Sequence, residues 1–247
     1  MLFAVGGAED QKNNPVCLER FLNAAGGPAA HIAVVTAAAH DTTAAWQRYA
    51  AIFRRLGAEA TYWADDPSEP DHLADWWPEV SGIWLTGGDQ VRLCDRVTGS
   101  GLQTRLIDRW HAGAVLGGTS AGAAALSRIM IAGGSARHPR DASRLQMAFG
   151  LGFWPHAIID QHFSQRGRLV RLLAAVLTHP QHMGVGIDED TAAVVDADGH
   201  ALTCVGSGAV TVVEGSDTAG TQERQVVTVN FLTAGDRFVP RLAEVTP

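Results

Sequence analysis

The stretch Ala114-Val115-Leu116-Gly117-Gly118-Thr119-Ser120-Ala121-Gly122 decides how this chain is read. A short apolar run that breaks into glycines is the pattern of a buried strand leaving a sheet. Residues 118–122 have the form G-x-S-x-G. Small neighbours there let a strand and the following helix approach closely while the serine hydroxyl stays exposed on a strained turn. A helix opening near Ala121 points free backbone amides at that hydroxyl, where they favour developing negative charge. Taken alone, the pentapeptide reads equally well as a glycine-rich turn whose serine caps a helix. Its strand-before, helix-after setting tips the reading toward a nucleophile.

The same alternation extends to both sides. Residues 2–5 and 31–36 are apolar runs of strand length, each followed by a helical pattern. The first helix is expected to have Asn14 as its cap and Pro15 as its first residue, and to stop at Gly26 and Gly27. The second is expected over 42–56, with Ala45, Tyr49, Ile52, Phe53 and Leu56 on one face and Gly57 ending it. GIWLT at 82–86 predicts a third strand and 102–111 a helix. A further strand is expected at 157–160, before a helix running from a Ser164 cap to about residue 178. Residues 133–144 are polar and read as flexible. Beyond residue 190 the strands expected at 191–195, 208–213 and 225–231 have turn residues and no helix between them. The fold predicted is α/β: a mostly parallel central sheet with helices on both faces. The C-terminal strands are expected to add antiparallel pairs at one edge. No linker or repeat interrupts the pattern, so residues 1–247 read as one domain.

Composition narrows the function classes. The chain has 247 residues, 46% of them hydrophobic and 18% charged, enough for a sizeable core without staples. The net charge is −7 and no basic run occurs, which argues against a nucleic-acid partner. Lys12 is the only lysine, so nearly all the positive charge is guanidinium. Cys17, Cys94 and Cys204 are far apart and have neither metal spacing nor a disulfide pattern, as suits a reducing, cytoplasmic setting. The N-terminal MLFAVGGAED lacks a basic segment and a long apolar one, so no secretory signal is expected. No 18-residue apolar run exists, so no membrane span is expected either.

A serine hydroxyl needs a base within hydrogen-bond reach. Among ten histidines, His40, His72 and His200 fall in polar or turn contexts and His138 in the flexible stretch. His162 ends a buried strand in Ile158-Ile159-Asp160-Gln161-His162-Phe163, and ligands of open parallel sheets bind outside the carboxyl ends of strands. The base in turn needs an orienting acceptor. Asp188-Glu189-Asp190 offers three mutually repelling carboxylates at a strand-to-turn junction, read otherwise as a solvated acidic turn. Thr86-Gly87-Gly88-Asp89-Gln90 ends another strand, so an amide near Gly88 can pair with that of Ala121 as an oxyanion hole. Arg166, Arg168 and Arg171 crowd a helix N-terminus, against the macrodipole. They are either a solvated face or a cradle for substrate carboxylates.

Together, GGAED at 6–10, TGGDQ at 86–90, GGTSAGA at 117–123, DQHFSQRGRL at 160–169 and GVGIDEDTA at 184–192 resemble, in order, the serine peptidase family of cyanophycinase and dipeptidase E, and within it the cyanophycinase branch. The resemblance implies an architecture related to class I glutamine amidotransferases (flavodoxin-like), with Ser120 as nucleophile, His162 as base and then acid, and Glu189 as the orienting carboxylate. It implies that Gln90, Asp160, Gln161, Arg166, Arg168 and Arg171 line the substrate pocket. The activity implied is exopeptidase release of β-aspartyl-arginine from cyanophycin, a poly-aspartate with arginine on each side-chain carboxyl, by a homodimer needing no metal or cofactor. In that pocket arginines fork onto aspartyl carboxylates, and Asp160 or another acid receives the substrate arginine. The alternatives are a serine dipeptidase for aspartyl or isoaspartyl peptides, and a non-enzymatic scaffold with an unused elbow. Ala123-Ala124-Ala125 and the irregular 133–144 stretch depart from the family pattern.

Overall fold

The computed structural model describes residues 1–66, 73–197, 199, 201–216 and 226–241. His72, His200 and Gln225 lie outside the described residues. The chain begins β1 (Leu2–Val5), α1 (Val16–Ala24), β2 (His31–Val35), α2 (Thr42–Arg55), β3 (Ala60–Trp63), the single turn α3 (Leu73–Trp76) and β4 (Gly82–Leu85). It continues through α4 (Gln90–Gly99), α5 (Leu102–His111), β5 (Val115–Thr119), the single turn α6 (Ala121–Ala124), β6 (Ile129–Gly134), β7 (Leu145–Phe149) and β8 (Ala157–Gln161). Then come α7 (Leu169–Thr178), β9 (Met183–Ile187), β10 (Thr191–Val195), β11 (Leu202–Gly206), β12 (Val210–Ser216), β13 (Val226–Leu232) and β14 (Arg237–Phe238).

An eight-stranded sheet has the order β14-β11-β10-β1-β5-β4-β2-β3. Its half from β1 to β3 is parallel throughout, as expected. The apolar runs are buried on both faces because helices cover both. Phe3, Val5, Ile32, Val34 and Trp84 pack under α1 and α2, while Leu2, Ala4, Val35, Ile83 and Leu85 share a core with α4, α5 and α6.

The C-terminal strands form the expected antiparallel edge only in part. β10 inserts antiparallel against β1, and β11 and β14 extend that edge. The others belong to a separate four-stranded sheet, β13-β12-β9-β8, in which β8 and β9 are parallel. α7 covers one face of this sheet with Leu172, Ala175 and Val176 against Ile158 and Val213. Its opposite face contributes Ile159, Val185 and Val212 to the same cluster that holds Leu2 and Leu85.

Two expected caps are corrected. Asp10 gathers the amides of Lys12, Asn13 and Asn14, so Pro15 becomes the cap and the first helix starts at Val16. Ser164 opens a separate 3-10 turn ending at Gly167 (φ 58°), and α7 starts only at Leu169. The reason is local: the Ser164 amide is held by Asp188 Oδ1 at 2.9 Å, which ties it to the β9–β10 turn. The 133–144 stretch is also more ordered than expected, because it is flanked and partly formed by the antiparallel ribbon of β6 and β7.

Candidate active site

β5 delivers Ser120 to the carboxyl edge of the large sheet, where its amide donates to Val5 O at 2.9 Å. Ser120 sits at φ 51° and ψ −111°, an unfavourable conformation for a residue with a Cβ. The close packing behind it explains how that turn is held. A Cβ on Gly118 would lie 2.5 Å from the Gly122 carbonyl carbon, and one on Gly122 would lie 2.3 Å from Leu85 O. Gly118→Ala is therefore expected to destabilise the fold by about 3 kcal/mol, at the top of the range for overpacking. A denaturant midpoint unchanged from wild type would contradict this.

His162 arrives from the other sheet, at the end of β8, rather than from the sheet that carries Ser120. Its amide donates to Gly6 O at 2.8 Å, a bond that ties β8 to the end of β1. Its own φ is 48°, so it too is held in the left-handed region. The imidazole lies over Gly7, where a Cβ would come 2.4 Å from Cε1. Nε2 is 2.9 Å from Ser120 Oγ, and Nδ1 is 2.6 Å from Glu189 Oε1. Ala8 and Asp190 complete the set of non-glycine residues with positive φ among those described, and Asp190 bonds to Gly7 O through its amide. Strain of this kind concentrates where surrounding structure over-determines a functional turn.

The three neighbouring carboxylates separate cleanly. Asp188 accepts from the amides of Ser164 and Ala209, and Asp190 from the Asp10 amide and the Ser207 hydroxyl. Both brace the turn. Glu189 alone faces the imidazole, with 36% of its side chain exposed against 12% for His162. The Gln165 side chain accepts the Glu189 amide at 3.1 Å.

The Gly87–Gly88 loop runs beside the serine: a Cβ on Gly87 would sit 3.4 Å from Ser120 Cβ. Neither the Gly88 nor the Ala121 amide has an acceptor among the described residues. The helix after Ser120 is a single turn, so its contribution is local amides rather than a long dipole.

Beside His162, Asp160 is 1% exposed and bonded to two arginines. Arg171 Nε reaches Asp160 Oδ2 at 2.7 Å, its Nη2 takes Oδ1, and Arg168 Nη1 lies 3.2 Å from Oδ1. Arg168 also donates to the carbonyl and side-chain oxygens of Gln161. Asp160, expected together with another acid as a candidate receiver of the substrate arginine, is thus already paired with two arginines of the chain itself. Burial, and then the neighbouring Arg171 and Arg166, lower the pKa of Arg168, with Asp160 opposing. Arg166 is exposed and its guanidinium has no acceptor among the described residues. Gln90 is turned to the β6 backbone, donating to Ile131 O at 3.0 Å and Ala132 O at 3.2 Å.

One participant escaped the sequence reading. Glu9, 5% exposed, accepts from Tyr49 Oη and Thr119 Oγ1, both at 2.6 Å. It pins the residue before the nucleophile. Burial, followed by the Glu9 carboxylate, pushes the Tyr49 phenol well above its ordinary pKa, so Tyr49 remains a donor.

A hydroxyl, an imidazole and a carboxylate thus stand in one hydrogen-bonded line where the two sheets meet, an arrangement able to activate the hydroxyl for attack. Comparison with known proteins gives the class, a hydrolase. The profile of "Peptidase family S51" matches residues 1–203, which contain all three groups. A cyanophycinase from Geminocystis herdmanii is 37% identical over 96% of this chain and 92% of its own length. One from Trichormus variabilis is 36% identical over 96% of this chain and 84% of its own. A solved peptidase from an acI-B1 actinobacterium shares the fold at a TM-score of 0.68 and 22% identity, covering 96% of each chain. The chain belongs to peptidase family S51, and it is a peptidase.

Proposed function

We propose that this peptidase hydrolyses cyanophycin by a serine acyl-enzyme route and releases β-aspartyl-arginine. Supporting the route is the continuous line Ser120 Oγ, His162 Nε2, His162 Nδ1, Glu189 Oε1, with gaps of 2.9 and 2.6 Å. Supporting the substrate are relatives named cyanophycinase that align over nearly the whole chain.

In the resting state Glu189 accepts the Nδ1 proton, which leaves Nε2 free to accept from Ser120. Ser120 Oγ attacks the carbonyl carbon of an aspartyl peptide bond as its proton passes to Nε2. The tetrahedral oxyanion sits between the free amides of Gly88 and Ala121. His162 then protonates the leaving amine, the C–N bond breaks and an ester on Ser120 remains. Water, deprotonated by the same nitrogen, hydrolyses that ester and restores the hydroxyl. Every group this route needs belongs to the chain itself.

Nη2 of Arg168 and the whole of Arg166 are the donors left to meet substrate carboxylates, while Gln161 and Asp160, itself held by Arg171, fix Nη1 of Arg168. Three guanidinium groups against one aspartate leave this corner in positive excess. Gln90 acts through the β6 backbone that it fixes. A cytoplasmic homodimer completes the reading; three buried thiols, none in a disulfide, suit a reducing compartment.

Incubation of the wild type with insoluble cyanophycin tests the substrate. Soluble β-aspartyl-arginine is the expected product. Turnover of aspartyl dipeptides with none of the polymer would replace this reading with that of a dipeptidase.

A further inference from the structure

We propose that the β6–β7 ribbon is a polymer-holding arm, whose Arg137, Arg140 and Arg144 bind carboxylates of substrate units beyond the one being cleaved. This rests on the reading of the site as cyanophycin-cleaving.

The root of the ribbon is fastened to that site. Gln90 bonds to the carbonyls of Ile131 and Ala132, and Arg171 Nη1 donates to Gly134 O at 3.2 Å. The strands stay against the body of the protein, with Leu145 and Met147 packed on the cluster of Ile131 and Leu172, and the connection between them carries the exposed charge. Met130 and Ile131 are buried, whereas Gly134, Arg137, His138, Arg140 and Arg144 are exposed. The two strands are joined by residues 135–144, far longer than the two to five residues usual for a hairpin. This connection has internal order: the Asp141 amide donates to His138 O at 2.9 Å, the Arg140 amide meets His138 Nδ1 at 3.1 Å, and Asp141 Oδ1 accepts from the Ser143 amide at 3.1 Å.

Its charge runs against that of the chain. Three arginines face one aspartate there, within a protein of net charge −7. None of the three forms an ion pair among the described residues. Asp141, the one carboxylate at hand, is already taken up by the Ser143 amide and hydroxyl.

Each unit of the polymer carries a free α-carboxylate and, three methylenes further out, a guanidinium. A basic arm lying along the backbone meets the carboxylates first and leaves the guanidinium groups to solvent. One exposed arginine–carboxylate contact is weak. Several on one chain act together, because the first contact raises the effective concentration of the next. The arm therefore acts on capture of the polymer and leaves the chemistry on a short substrate untouched.

The test uses wild type and the variant carrying Arg137→Gln, Arg140→Gln and Arg144→Gln. One readout is co-pelleting with insoluble cyanophycin; the other is turnover of a soluble oligomer too short to reach the arm. The variant is expected to pellet about tenfold less, as would wild type in about 1 M salt, where screening shortens to about 3 Å. Its turnover of the short oligomer and its melting temperature are expected to match wild type. Equal pelleting of the two proteins, or no pelleting of either, overturns the arm and leaves the catalytic reading standing. Equal loss on the short oligomer overturns it too, since the defect then lies in the pocket. Arginine-dependent pelleting without release of β-aspartyl-arginine keeps the arm and removes the cleavage reading.

Discussion

Ser120→Ala is expected to lower kcat by about 10⁵-fold or more, with the fold intact. The size follows from what is lost. Without Oγ the imidazole has no proton to take and no ester can form, so only general binding and the amides near Gly88 and Ala121 remain to help water attack. The change itself is mild for the structure. The hydroxyl bonds to His162 Nε2 and makes no side-chain capping bond, so its loss leaves in place the backbone hydrogen bonds that hold the elbow. Thermal unfolding should stay near wild type while product release falls to background. A variant that retains a tenth of the activity would mean that another group attacks.

Glu189→Gln is expected to cost about 10³- to 10⁴-fold in kcat. Glutamine fills the same space, but its amide group presents a donor toward Nδ1. The imidazole then moves its proton to Nε2, the nitrogen that must accept from Ser120. Loss of the negative charge also removes what steadies the imidazolium after proton transfer. The neighbouring carboxylates cannot substitute, since Asp188 and Asp190 are committed to the turn. Asp188→Asn should instead show its effect first in thermal unfolding. A Glu189→Gln enzyme within threefold of wild type would point to a different orienting acid.

What could be read in the sequence follows the range of the signal. The elbow is local: glycines at 118 and 122 and an apolar run before them carry its geometry, and the structure reproduces it. The buried strands of the parallel half announced themselves in the same way. Ala60–Trp63 did not, because this edge strand is only half covered and shows no continuous apolar run. The division into two sheets was also invisible. Alternation shows that a strand is buried but not which sheet it joins, so β8 looked like one more strand of the large sheet. That is why His162 could be placed on the right rim by the wrong route. Glu189 was distinguished from its neighbours only by family resemblance; spacing alone left three carboxylates equal. Glu9 looked like a polar residue in a glycine turn, and its role depends on partners 40 and 110 positions away. The fate of Asp160 was equally long-range, settled by arginines 8 and 11 residues further on that turn back onto it.

The central claim is that Ser120 is the group that becomes acylated. Treatment of wild type with a serine-reactive fluorophosphonate, followed by peptide mass mapping, addresses it directly. A single adduct on the peptide containing Ser120, absent from Ser120→Ala and strongly reduced in His162→Ala, is the expected result. No adduct, or one that persists at another residue in Ser120→Ala, would contradict it.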